Sequence, residues 1–262
     1  KESPVPLILS TLQQHTLTLK LNRPDKANAF NRDMILELRS ALDEAEANAD
    51  VRAILLTGSG ATFCAGQDIT EMLAAQDQNV SYHEHLRESY NPLVLKIRQI
   101  EKPIVAAING SVAGAGLGVA LACDLRIAAD NAFFTVGFTG IGLVPDSGVS
   151  LLLPALIGLG RATEYSFSNL PISAQDAFAW GMVNRLIPAD ALLPTAAQIA
   201  MMLAMGPVGA FGATKKAFNR AMLPNLAEVL EYEGELQDAR RSEEEHKVGV
   251  EAFLKKERPS FI

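Results

Sequence analysis

No apolar run in this sequence reaches the roughly 18 residues that a membrane span requires. The opening residues also lack the basic, apolar and small segments of a secretory signal, in that order. Cysteine is scarce. The two present, Cys64 and Cys123, are not in CxxC spacing, and their small apolar surroundings suit reduced, buried thiols. Positive charge is in deficit, 23 lysines and arginines against 30 aspartates and glutamates, for a formal net charge of -7. That disfavours a sequence-independent nucleic-acid binder, which carries a basic face or stripe. Together these absences predict a protein of the reducing cytoplasm, without membrane or nucleic-acid partners. What is present is apolar residue, 48% of the chain, enough to bury a large core.

The hydrophobic pattern alternates strands with helices. PLILSTL and TLTLKLN flank the polar QQH and read as a hairpin; NRDMILELRSALDEAEAN reads as an amphipathic helix with Asn31 as N-cap; VRAILLT reads as a buried strand. GSGATFCAGQD follows as a loop. YNPLVLKIRQI reads as helix despite Pro92, IVAAIN as a second buried strand, GAGLGVALAC as helix and DLRIAA as strand. Strands joined by helices imply parallel pairing, with ligands bound at the carboxyl ends of the strands. From about Pro188 the strand signal stops and four helical stretches follow, so the chain divides into an α/β core, 1–187, and a helical subdomain, 188–262. The charge run DARRSEEEHK reads as a solvated helix face.

Two small-residue loops, TGSGATFCAGQDI and NGSVAGAGLG, each follow a buried strand. In a parallel sheet both emerge at one edge, where the backbone N–H groups of Gln67 and Ala115 can converge on one atom as an oxyanion hole. Tight helix–sheet packing without a ligand accounts for the same residues equally well. A dinucleotide fingerprint fits poorly, because GAGLG lacks the third glycine of GxGxxG at its spacing and lies in mid-chain.

Six segments, LNRPDKANAF, TFCAGQDI, INGSVAGAGLGVALACDLRIAA, GIGLVPDSGVSLLLP, AFAWGMVNRLIP and VGVEAFLKKERPSF, resemble the enoyl-CoA hydratase/isomerase (crotonase) superfamily, in order along nearly the whole chain. The resemblance implies a spiral of ββα repeats with a C-terminal helical region that forms trimers, or hexamers of two trimers. It implies a coenzyme A thioester as substrate, no separate cofactor, and Gln67 and Ala115 as the donors that polarise the thioester carbonyl. It also implies a coenzyme A site from Lys26, the main chain of Ala65, Gly66, Asp68, Ile69 and Gly114, and Phe253 with Lys256 from a neighbouring subunit. Thr70 stands where the family often has a phosphate-binding lysine.

The two positions that carry glutamate in hydratases of the family are Gly118 and Phe138 here. Neither moves a proton. Asp146, in GLVPDSG, is set among Ile141, Leu143, Val144 and an apolar run that would desolvate it, which suits a base; it equally suits the N-cap of the helix that follows. The resemblance assigns it as the base, since isomerases of the family carry aspartate there. The implied activity is an acyl-CoA isomerase, moving a Δ3 double bond to Δ2 or opening a ring epoxide of phenylacetyl-CoA. Alternatives are a hydratase-type lyase, a dehalogenase or thioester hydrolase with Asp146 as nucleophile, and a non-catalytic acyl-CoA or RNA binder. Glu71 to Tyr90, with Phe138, is expected to shape the acyl pocket. His83 and His85, as HxH on a helix, point apart and read as solvated. Ser111 and Ser147 have no triad context, and Trp180 reads as packing at the core edge.

Overall fold

The computed structural model describes residues 5–76 and 81–262, with only the backbone of residues 74–76. Residues 77–80, part of the segment expected to shape the acyl pocket, lie outside the described set.

The hairpin forms from β1 (Ile8–Gln13) and β2 (Thr16–Leu21), paired antiparallel. Gln14 and His15 make its turn with φ of 46° and 63°, the left-handed pair whose twist suits a two-residue hairpin. Helix α1 (Arg32–Ala47) starts at Asn31, whose side chain accepts the Met34 N–H at 3.0 Å. It buries Met34, Ile35, Leu38, Leu42 and Ala45, a stripe at helical spacing. β3 (Ala53–Gly58) is buried throughout, as its unbroken apolar run requires.

The stretch after β3 is not all loop. It contains the short strand β4 (Thr62–Cys64) before α2 (Ile69–Gln76), α3 (Tyr82–Glu88) and α4 (Tyr90–Gln99). Pro92 sits in the first turn of α4, where its missing N–H has no intrahelical acceptor to lose. The next strand, β5 (Ile104–Ile108), is likewise followed by a short one, β6 (Ser111–Ala113), and by α5 (Gly114–Ala122). β7 (Leu125–Ala129) and β8 (Phe133–Thr135) lead to α6 (Val149–Ile157), α7 (Leu159–Ser168), β9 (Ile172–Ser173), α8 (Ala174–Ala179) and β10 (Arg185–Ile187). Four helices close the chain: α9 (Leu192–Ala204), α10 (Val208–Met222), α11 (Leu226–Arg241) and α12 (Glu244–Lys255).

The strands make two sheets. The larger runs β1-β2-β3-β5-β7-β10, parallel from β2 onward; the smaller runs β4-β6-β8-β9, parallel up to β8. Three times, a strand of the large sheet is followed directly by a strand of the small one. α9 packs on the large sheet against β2, β3, β5 and β7, while α11 packs on α3, α4 and α6. Cys64 and Cys123 are free and buried, and burial pushes both thiols up to about 12. Trp180 packs against Tyr165 at 5.3 Å between centroids, with the Arg161 guanidinium 4.9 Å over its ring. The DARRSEEEHK run is largely exposed, as expected, but not a single helix face. It spans the break between α11 and α12, with Asp238 accepting Ser81 Oγ and the Tyr82 N–H at the start of α3, and with His246 buried.

Candidate active site

The short strands decide where the two small-residue loops end. β4 and β6 are parallel neighbours, with Thr62 beside Ser111 and Cys64 beside Val112. The chain therefore leaves them side by side, carrying Gly66-Gln67 and Gly114-Ala115 to one place. The contact is close: a β-carbon on Gly66, whose φ is +91°, would lie 2.9 Å from the Ala113 carbonyl oxygen and 3.4 Å from the Ala115 nitrogen. Ala115 is the second residue of α5, so its N–H is in the turn that has no intrahelical acceptor. Gln67 pairs with Phe30 through its neighbours: Phe30 donates to the Gly66 carbonyl at 2.7 Å, and Asp68 donates to the Phe30 carbonyl at 2.8 Å. That alternation turns the Gln67 N–H away from Phe30.

Both residues line a cavity of about 460 Å³, with Asp146 on its wall. The walls are mostly apolar and aromatic, including Met72, Leu86, Phe138, Ile141 and Leu143. Ala65, Gly66, Ile69, Gly114 and Phe253 also line it; Lys26, Asp68 and Lys256 do not. Lys26 and Lys256 are exposed, the latter just beyond α12 in a left-handed conformation. Asp68 instead pairs with Arg23 at 2.9 Å. Burial alone would raise its carboxyl, but the guanidinium outweighs it and holds the group below its ordinary value. Phe253 was expected from a neighbouring subunit; here it lines the cavity of its own chain, with Glu257, Arg258 and Pro259 beyond it.

Asp146 is 8% exposed, and burial raises its carboxyl to about 6, against the opposing pull of two hydrogen bonds. Oδ1 accepts the Ser147 hydroxyl at 2.8 Å and Oδ2 accepts Gln237 Nε2 at 2.6 Å. Asp146 does not cap α6. Ser147 and Gly148 follow with φ of 55° and 80°, and the carboxylate that takes the free N–H groups of α6 belongs to Glu233 of α11. Glu233 accepts Gly148 N at 2.9 Å, Ser150 N at 3.1 Å and the Ser150 hydroxyl. Its own carboxyl is raised to about 7, by burial first and by Asp146 among lesser causes. With the helix end satisfied from elsewhere, the Asp146 carboxylate faces the cavity.

One residue expected to be solvated belongs here. His85 of α3 lines the cavity, and its Nε2 lies 3.2 Å from Gln67 Oε1, which also accepts the Tyr90 hydroxyl at 2.6 Å. Burial, then the nearby Arg32, lowers the His85 pKa and keeps the ring neutral. His83 turns the other way, to Glu231 at 3.0 Å. The divergence of the HxH pair is as expected; the solvation of His85 is not. Gly118 is buried where α5 meets Ser147: a β-carbon there would stand 2.5 Å from the Ser147 carbonyl oxygen. No glutamate fits that position, and Phe138 presents only a ring.

The sequence model for the Enoyl-CoA hydratase/isomerase family matches residues 11–262. The chain is 37% identical over 259 residues to a 1,2-epoxyphenylacetyl-CoA isomerase of Escherichia coli (strain K12), covering 97% of each chain. It is 36% identical over 217 residues to a 4-chlorobenzoyl coenzyme A dehalogenase of Arthrobacter sp, covering 82% of this chain and 79% of the relative. Among solved structures, an enoyl-CoA hydratase from Mycobacterium avium subsp. paratuberculosis K-10 superposes with a TM-score of 0.88 at 32% identity, covering 99% of this chain and all of that one.

Proposed function

We propose, from the premise that the chain belongs to the enoyl-CoA hydratase/isomerase family, that it is an acyl-CoA isomerase using Asp146 as a shuttling base. The observation that carries this reading is a desolvated carboxylate, Asp146, in a cavity shared with the Gln67 and Ala115 backbone, where positions 118 and 138 supply no second carboxylate and Glu257 at the cavity's edge is exposed. One base and one oxyanion site suffice to move a proton between carbons of a conjugated acyl group. The Gln67 and Ala115 N–H groups hold the thioester oxygen as it becomes an enolate. Asp146 takes the α-proton of a Δ3-enoyl-CoA and returns it at the γ-carbon. The same geometry serves the opening of a ring epoxide on phenylacetyl-CoA, where the enolate again forms beside the hole. Proton and electrons stay within substrate and Asp146, so the step calls for no cofactor.

The coenzyme A portion is assigned to the main chain of Ala65, Gly66, Ile69 and Gly114 with Phe253, and Lys26 and Lys256 are assigned as outer phosphate contacts. The exposed apolar side chains of Met205, just after α9, and Met222, at the end of α10, support a homotrimer or dimer of trimers. Light scattering tests this: a monomer in solution excludes it.

The function test is the ultraviolet absorbance of the conjugated thioester formed from a 3-enoyl-CoA. The parent produces the rise, and Asp146→Asn loses it by about 10²- to 10⁴-fold; equal turnover by the mutant overturns the assignment. A second reading is favoured by the dehalogenase likeness: Asp146 as nucleophile. Turnover of an aryl halide thioester in ¹⁸O water would then label the Asp146 carboxyl, and an unlabelled carboxyl excludes it.

A further inference from the structure

We propose that Gln237 of α11 is the positioning residue that decides which oxygen of Asp146 takes and returns the proton, an inference that rests on the isomerase reading above. Gln237 is 2% exposed. Its Nε2 donates to Asp146 Oδ2 at 2.6 Å and to the Val144 carbonyl at 2.9 Å, which engages both N–H groups. The Val144 oxygen only accepts, so the amide cannot turn over without setting oxygen against oxygen. Gln237 Oε1 is buried and has no hydrogen-bond partner among the described residues. An unpaired buried acceptor works against stability. The amide thus holds two acceptors, Val144 and Asp146, while one atom of its own goes unmet, and of the two acceptors Asp146 is the one on the cavity wall.

A carboxyl that gains a proton has one carbonyl and one hydroxyl oxygen, and the carbonyl is the better acceptor. Gln237 can only donate through Nε2, so Oδ2 remains the carbonyl. Oδ1 becomes the hydroxyl. Its partner, the Ser147 hydroxyl at 2.8 Å, both donates and accepts and turns to suit either state. In the first half-step the substrate C–H bond breaks, its electron pair passes into the thioester carbonyl, and an O–H bond forms at Oδ1. The second half-step reverses these at another carbon of the conjugated system, leaving Asp146 as it began.

The other ionisable groups facing this corner come from every packed side: Tyr82 and His85 on α3, Tyr90 on α4, Glu233 on α11, and Glu257 and Arg258 after α12. Burial keeps Tyr90 protonated and His85 neutral. Ser147 and Gln237 are the hydrogen-bond donors to the carboxylate among the described residues.

The test is Gln237→Met, which keeps the length and removes the donor. The acid limb of the pH profile of kcat/KM for a 3-enoyl-CoA moves up by about one pH unit, an activity loss of about 10-fold at acid pH that shrinks at alkaline pH. Resistance to urea falls as well, because the Val144 carbonyl loses its donor, so the moved limb is the readout that a merely structural role would leave in place. Gln237→Glu, of the same size, is the second variant; two carboxyls at that range resist joint ionisation, and the limb rises again. An unmoved limb in both variants overturns the inference, whatever the fall in rate. Isotope-edited infrared titration of the Asp146 carboxyl in the unliganded proteins reads the same shift without turnover. A shifted infrared titration with no turnover by the parent sinks the isomerase reading alone; an unshifted one sinks the role of Gln237 alone.

Discussion

Gly118 shows how little room one position leaves beside the Asp146 turn. A β-carbon there meets the Ser147 carbonyl oxygen at 2.5 Å and the Ser147 β-carbon at 2.7 Å. Backbone must move to admit it, so Gly118→Ala is expected to lower stability by about 1–3 kcal/mol in urea unfolding. Gly118→Glu is expected to disturb the Asp146 turn rather than install hydratase activity, which an assay of water addition to a 2-enoyl-CoA checks. Asp146, Gln67 and Ala115 each lie in a local pattern, an aspartate in an apolar run and small residues at strand ends, but that pattern also fitted an N-cap and tight packing, and the family resemblance chose between the readings. Gln237 was not. Its partner is 91 positions away, and no local spacing announces an amide that meets a carboxylate across the fold. His85 was misread for the same reason, since its surroundings are made by Gln67 and Tyr90 rather than by its own helix.

At the scale of elements, the capping of α6 decides what Asp146 is free to do. Glu233→Ala leaves the N–H groups of Gly148 and Ser150 without an acceptor, and is expected to destabilise the protein by about 2–4 kcal/mol in urea unfolding. Glu233→Gln keeps an accepting oxygen and loses less. The long strands and helices were readable from apolar periodicity, but β4 and β6 have three residues each, too few to show alternation. They set the convergence of the two loops, so the meeting of Gln67 and Ala115 at one cavity was anticipated while the role of these strands in it was not. In α11 a faint signal existed. Leu226, Leu230, Glu233 and Gln237 share its buried face, and a stripe that changes from leucine to glutamate and glutamine marks polar groups held inside.

For the whole molecule, the two raised carboxyls set a pH dependence of stability. Asp146 moves from 3.8 to about 6 and Glu233 from 4.5 to about 7. Between those limits the folded protein holds protons that the unfolded chain has released, so stability declines as pH rises through about 6 and then about 7. A shift of two units corresponds to about 3 kcal/mol. Asp146→Asn removes one of these charges. It is expected to melt a few degrees above the parent at alkaline pH, with the gap narrowing at acid pH, and an equal gap at both would refute the linkage.

The cap that crosses from α11 to α6 has a consequence in time. During synthesis Asp146 leaves the ribosome well before Glu233 and Gln237 are made, so the nascent α6 lacks the carboxylate that accepts from Gly148 and Ser150 in the finished fold, and Asp146 is the nearest carboxylate in sequence. Until the last helices dock, that aspartate is free to serve as the cap that its local sequence suggests. Completion of the chain then turns its carboxylate to the cavity.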